Sequence, residues 1–232
     1  MRKIGVAVVA GLLAVVGATA AIAAVTAPKV TVDAQISPNK AGTSKHPQGE
    51  QLNVNIKWQS LGAADQPIVQ KFDILFPKGS LYNGGKYPSC SYQRLNAAGP
   101  AACPKASIMG KGTGNAYADT VITHPKITVV NGGKSRVYFY TVLNNPARVQ
   151  APVVGQISRI GGKYAYKLHV TVPQVLQVVA GVPIELTSLT VKAGKESWLA
   201  TTACPGGHWP FSVTTSYDSG GSASFTDSIK CH

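Results

Sequence analysis

Apolar and polar residues alternate with period two along most of this chain, which leaves little choice of fold class. In Gln51–Trp58, QLNVNIKW, the residues Leu52, Val54, Ile56 and Trp58 share one face, and Asn53, Asn55 and Lys57 share the other. Such a segment is a strand buried on one side only. The pattern returns in KFDILF, SRVYFYTVL, APVVGQISRI, KYAYKLHVTV, IELTSLTVKA, PFSVTTSY and SASFTDSI. Turn signals stand between these runs: NGGK at 131–134, NNP at 144–146, GGK at 161–163 and SGG at 219–221. RIGGKYAYKLHV reads as a hairpin, since Gly161-Gly162 can take positive φ. About ten strands are expected. Glutamate, a good helix former, occurs only at Glu50, Glu185 and Glu196, which argues against long helices. One short helix is expected in PSCSYQRLNAAGP, capped at Ser89 or Ser91 and stopped by Gly99-Pro100.

The expected architecture is all-β: an antiparallel β-sandwich, immunoglobulin-like or jelly-roll-like, with one short helix. No linker divides the chain, so a single domain over residues 28–232 is expected. Two sandwich domains meeting near residue 131 are the alternative.

The N-terminus sets the compartment. Arg2 and Lys3 precede an uncharged run from Ile4 to Val25, and Ala21-Ile22-Ala23 fits the small-x-small rule for signal peptidase. A signal peptide over residues 1–24 is expected, cleaved after Ala23 or Ala24. The run is also long enough to span a bilayer, so membrane attachment is expected only if it stays uncleaved. Either way the rest of the chain belongs outside the cytoplasm, secreted or in the cell envelope.

The four cysteines, Cys90, Cys103, Cys204 and Cys231, suit that compartment as disulfides. Locality pairs Cys90 with Cys103 and Cys204 with Cys231, each bond stabilising by about 3 kcal/mol in the chain-entropy picture. A zinc site from Cys204, His208, Cys231 and His232 lacks the usual Cys-x-x-Cys knuckle, so no metal and no cofactor is expected.

The formal charge is +13, and it falls to +11 once Arg2 and Lys3 are removed. The basic residues are scattered, as on a solvated surface. Their functional reading is attraction to an anionic cell-envelope polymer or to another envelope protein. Nucleic acid is not expected outside the cytoplasm, and no basic stripe interleaved with aromatics is present.

Residues 103–116, CPKASIMGKGTGNA, look at first like a phosphate loop. The Walker spacing fails, because Lys105 stands where its first Gly belongs, and G-x-G-x-x-G fails as well. No helix is expected after Gly114. Alternate glycines Gly110, Gly112 and Gly114 instead leave one face of a strand bare, so that another backbone or a large aromatic can come close.

Catalytic signals are sparse. No G-x-S-x-G, H-E-x-x-H or calcium loop is present, and the nine carboxylates nominate no local pair. Asp119 and His124 could form a base and its orienter, but His124-Pro125 reads more simply as a loop start. His169 alternates with Leu168 and Val170 and is placed on a solvent face. Trp209 and Tyr217 are the candidate ligand contacts, Trp209 as a core or rim aromatic with sugar stacking as its functional alternative.

Two segments carry a resemblance: YPSCSYQRLNAAGPAACPKASIMGKGTGNAYA and CPGGHWPFSVTTSYDSGGSASFTDSIKC. They resemble a group of uncharacterised secreted β-sandwich proteins of actinobacteria, with Cys…Cys-Pro…Ser-x-x-Gly-x-Gly and C-terminal Cys-Pro…Trp-x-Phe…Tyr-x-x-Gly…Cys segments. The resemblance implies location and fold, and no activity. The expected function is therefore a non-catalytic, disulfide-stabilised envelope or extracellular protein, with a secreted hydrolase of unfamiliar type as the alternative.

Overall fold

The computed structural model describes residues 27–63 and 65–232; the expected signal segment and its cleavage site lie outside them. In chain order the strands are β1 (Val30–Ser37), β2 (Gln48–Gly49), β3 (Gln51–Trp58), β4 (Val69–Pro77) and β5 (Ser80–Tyr82). There follow β6 (Ile108–Ala118), β7 (Val121–Thr123), β8 (Lys126–Asn131), β9 (Arg136–Leu143), β10 (Val149–Arg159) and β11 (Tyr164–Thr171). The last are β12 (Val178–Val179), β13 (Val182–Ala193), β14 (Leu199–Thr201), β15 (His208–Tyr217) and β16 (Ser222–Lys230). The alternating segments all became strands, and Gly162, with φ of 78°, makes the turn between β10 and β11.

The main sheet runs β1-β3-β13-β6-β8-β9-β10-β11-β4-β15-β16, with β7 and β12 attached at its margin. Every neighbouring pair is antiparallel. The end strands β1 and β16 approach within 8 Å between Cα atoms without joining in a ladder. The fold is thus the expected all-β antiparallel class, curled into a nearly closed barrel. β4 lies between β11 and β15, and β6 between β8 and β13, so strands from both sides of residue 131 alternate in one sheet.

Inside the seam, Trp58 on β3 donates from Nε1 to Thr215 Oγ1 on β15 at 3.1 Å, and Tyr217 donates from its hydroxyl to Pro28 O at 3.2 Å. Side chains therefore bridge where the backbone does not. At one end of the barrel, β2, β14 and β5 form a separate three-stranded sheet that closes it as a lid. The lid is tied down through Asn131, which is fully buried. Its amide donates to Gly84 O, Tyr87 O and Pro88 O, and its carbonyl accepts from Tyr82, Trp198 and Gly133.

The short helix forms as α1 (Tyr92–Ala98), and of the two candidate caps it uses Ser91, whose hydroxyl accepts from Arg94 N at 3.2 Å. Leu95 is buried with Val130, Tyr138 and Tyr140 on the outside of β8 and β9. A second helix, α2 (Gln174–Gln177), was not expected: at one turn it is too short to show a helical period. The disulfides are Cys90–Cys103 and Cys204–Cys231, with Cα separations of 5.4 Å and 5.9 Å. The first fastens the α1 segment beside the barrel, and the second ties the loop before β15 to the end of β16.

The glycine-rich segment is β6, with Lys111, Thr113 and Asn115 outward and the glycines inward. Beside them in the same sheet runs β13, paired antiparallel with β6. A Cβ on Gly112 would lie 2.6 Å from Thr190 O, one on Gly114 2.9 Å from Ser188 O, and one on Gly110 would collide with Lys192 O. The bare face therefore admits a neighbouring backbone, as the alternation implies, and cradles no phosphate.

Candidate functional site: an apolar cavity inside the barrel

Inward positions of the barrel strands are almost all apolar, yet many are only half-buried: Ile74 and Phe76 on β4, Phe139 on β9, Leu189 and Val191 on β13. Their side chains end at an internal space of about 270 Å³. An apolar cavity of about 150 Å³ can stay dry and take up benzene, so this one is large enough for an organic guest. Every strand of the barrel wall except β6 contributes to the lining, and the lid closes the end with Leu81, Leu199, Ala200 and Thr201. The opposite wall includes Leu176 and Gln177 of α2, and Gln177 spends its amide on Val172 O at 2.6 Å.

One ionisable carboxyl reaches the lining. Glu50, between β2 and β3, is 5% exposed, and burial pushes it from 4.5 up to about 7, against a lowering hydrogen bond from Thr201. The other buried carboxyl, Glu185 on β13, is also raised to about 7, by burial first and then by the charges of Asp218 and Asp119.

Charge is distributed along the barrel axis. Lys45, Lys78, Lys134, Lys163 and Lys195 stand in the loops of the lid end, with Arg159 at the end of β10 and Glu196 beside Lys195. Asp65, Asp119 and Asp218 stand in the loops of the other, together with Arg148. At the lid end a shallow cleft of about 300 Å³ is bordered by Lys78, Arg159 and Tyr164, with Ser80, Leu81 and Tyr166 shared with the inner cavity. Arg159 lies 5.6 Å from the centre of the Tyr166 ring.

Comparison with protein-family models, curated proteins and solved structures finds no match.

The candidate residues therefore stand on geometry alone. Trp209 is fully buried, with Nε1 donating to Ala203 O at 2.8 Å, and is among the residues around the cavity. Tyr217 is buried at the seam, and burial raises its phenol to about 12. Neither ring is exposed, so stacking on a surface sugar is outside the reach of both. The cysteines are all bonded, and among the described residues no group of His, Cys, Asp and Glu is placed to hold a metal. His124 bonds Asn115 at 2.7 Å, while Asp119 sits in a turn with φ of 56°; no hydrogen bond joins the two.

His169 is on the outer face, as its alternation implies, in a group not anticipated from the sequence. Its Nδ1 lies 2.7 Å from Asp73 Oδ1, its Nε2 lies 3.3 Å from Thr171 Oγ1, and Lys167 holds Asp73 Oδ2 at 3.0 Å. The cavity was likewise not anticipated. The available signal was Trp209, Phe211, Val213, Thr215 and Tyr217 alternating on one face of β15, which places both candidate aromatics inside.

Proposed function

We propose that this chain is an exported, non-catalytic protein of the cell envelope that holds an apolar molecule inside its barrel. The observation that carries this reading is the cavity of about 270 Å³ behind apolar, half-buried strand faces. Well-packed interiors do not keep such space without cost, and empty volume of this kind loses the contacts that hold a core together. The two disulfides fit the extracytoplasmic location, as does the resemblance to secreted actinobacterial proteins. The basic lid end is the face suited to anionic envelope material or to an acidic envelope protein, by long-range attraction rather than a shaped contact.

The expected result with purified protein is saturable fluorescence enhancement of N-phenyl-1-naphthylamine, about one dye per chain. Leu189→Trp fills the space and should weaken that binding at least tenfold while unfolding stays cooperative. Sedimentation with phosphatidylglycerol vesicles should be strong at low salt and lost at several times physiological salt, because exposed charges are screened over about 8 Å. Absence of any saturable dye binding removes the cavity reading, and salt-independent sedimentation removes the electrostatic one.

A secreted hydrolase is the second reading, favoured by Asp73, His169 and Thr171 in carboxylate–imidazole–hydroxyl order. They lie on the outer face of β4 and β11, whose backbone N–H groups are engaged in the ladder, and they line neither the inner cavity nor the lid-end cleft.

A further inference from the structure

The apolar wall has one polar exception that the fold leaves unused. Glu50 Oε1 accepts from Thr201 Oγ1 at 2.9 Å, while Oε2 is buried with no partner. The residue is fixed in place: its N–H donates to Leu199 O at 2.9 Å, and its carbonyl packs against Gly194, which a side chain would displace. An apolar residue here would spare the fold a buried oxygen without a hydrogen bond, which is costly to leave unpaired. Glu50 is among the residues lining the closed end of the cavity, with Oε2 itself covered, so a turn of the carboxyl group is what brings it to a guest.

We propose that Glu50, supported by Thr201, anchors the head group of the apolar guest, and that this head is a neutral hydroxyl. The proposal rests on the cavity reading above and names the ligand class: an aliphatic alcohol whose tail runs from the lid toward α2. By the scale of the benzene-sized cavity, the space suits a tail of roughly ten carbons.

The head is neutral because the cavity offers no countercharge to an anion. No Lys, Arg or His is among its lining residues, so a carboxylate or phosphate head would be buried unpaired. An ammonium head requires Glu50 ionised, whereas its apolar surroundings favour the protonated form. A hydroxyl fits either state of the carboxyl. It accepts from a protonated Oε2, and it donates to an ionised one.

The test is displacement of bound N-phenyl-1-naphthylamine by decane, 1-decanol, decylamine and decanoate. Bare apolar walls favour decane over decanol, since the hydroxyl must leave water. The expected result is the reverse: decanol binds at least tenfold tighter than decane. Glu50→Leu should abolish that preference while retaining decane, which also shows that the cavity is intact. Glu50→Gln, whose amide still donates and accepts, should keep most of it. Equal binding of decane and decanol by the unmodified protein overturns the anchor, as does a preference for decylamine or decanoate. A preference for decanol that survives Glu50→Leu overturns it too. Should Glu50→Leu not fold, the four-ligand comparison on the unmodified protein decides. Failure of every ligand and of the dye is the separate result that removes the cavity itself.

Discussion

Asn131→Ala is expected to destabilise the protein by about 4 kcal/mol, at the upper end of single-substitution effects. Asn131 sits at the end of β8, and its amide serves carbonyls of Gly84, Tyr87 and Pro88. Its carbonyl oxygen takes the indole of Trp198 at 3.1 Å and the hydroxyl of Tyr82 at 3.1 Å. Alanine removes these partners together and leaves several of them buried without water. Contributions within one network do not add, so the figure stands well below a sum over bonds. For a domain of this size the midpoint of thermal unfolding should fall by roughly 8–16 °C. The loss should concentrate in the lid, because Tyr82 ends β5 and Trp198 directly precedes β14. Calorimetry with hydrogen exchange measures both. A change below 1 kcal/mol, or exchange spread evenly over the barrel, would show that the lid is held by packing alone.

The second large effect is on pH. Burial raises Glu50 and Glu185 to about 7 in the folded chain, against 4.5 for an ordinary glutamate. Between those values the folded state binds more protons than the unfolded one, so stability falls as pH rises. The contribution is fully present below about pH 4.5 and is lost through about pH 7, at about 1–3 kcal/mol for each group. Asp73 opposes this at lower pH. Burial pushes its carboxyl up, but His169 and Lys167 outweigh that and hold it below the usual range. Its contribution is present above its unfolded value of 3.8 and is lost as pH falls. A stability maximum near pH 4–5 is therefore expected, with a decline toward pH 8. Denaturant midpoints measured from pH 4 to 8 test it. The Glu50→Gln and Glu185→Gln double variant should be nearly flat across that window. A profile in the unmodified protein that rises from pH 5 to 8 contradicts the assignment.

What was legible in the sequence follows from what is local. Alternation placed Leu52, Val54 and Ile56 on one face of β3 because a strand's side chains have period two whatever it pairs with. The Ser91 cap, the paired cysteines and the bare face of β6 likewise depend on neighbours in the chain. An inward face reads the same whether it packs on a second sheet or borders empty space, so Leu189 carries no mark of the cavity. Glu50 reads as a polar residue ahead of a strand. It is buried because β14, about 150 residues further on, covers it, with Thr201 separated from it by 151 positions. Asn131 opens a turn signal, NGGK, and its hydrogen-bonding role comes from Tyr82 and Trp198 in distant segments. Trp209 and Tyr217 are the instructive pair: the alternation of β15 already turned both rings inward, and the identity of the residues suggested a surface role that their spacing did not support.

The seam of the barrel lies between its earliest and latest strands. Among the described residues β1 pairs only with β3 and β16 only with β15, so the wall is continuous only when residues near 30 and residues near 230 are both in place. Until β15 and β16 arrive, β4 has one bare edge and the interior stands open to water along its whole length. Nothing apolar can be retained in it at that stage, since a guest there gains no shelter from solvent. A guest of the kind proposed would thus be taken up after the last strand docks, in whichever compartment that occurs. If the chain crosses a membrane unfolded, as the expected signal segment implies, such a guest would be loaded on the far side.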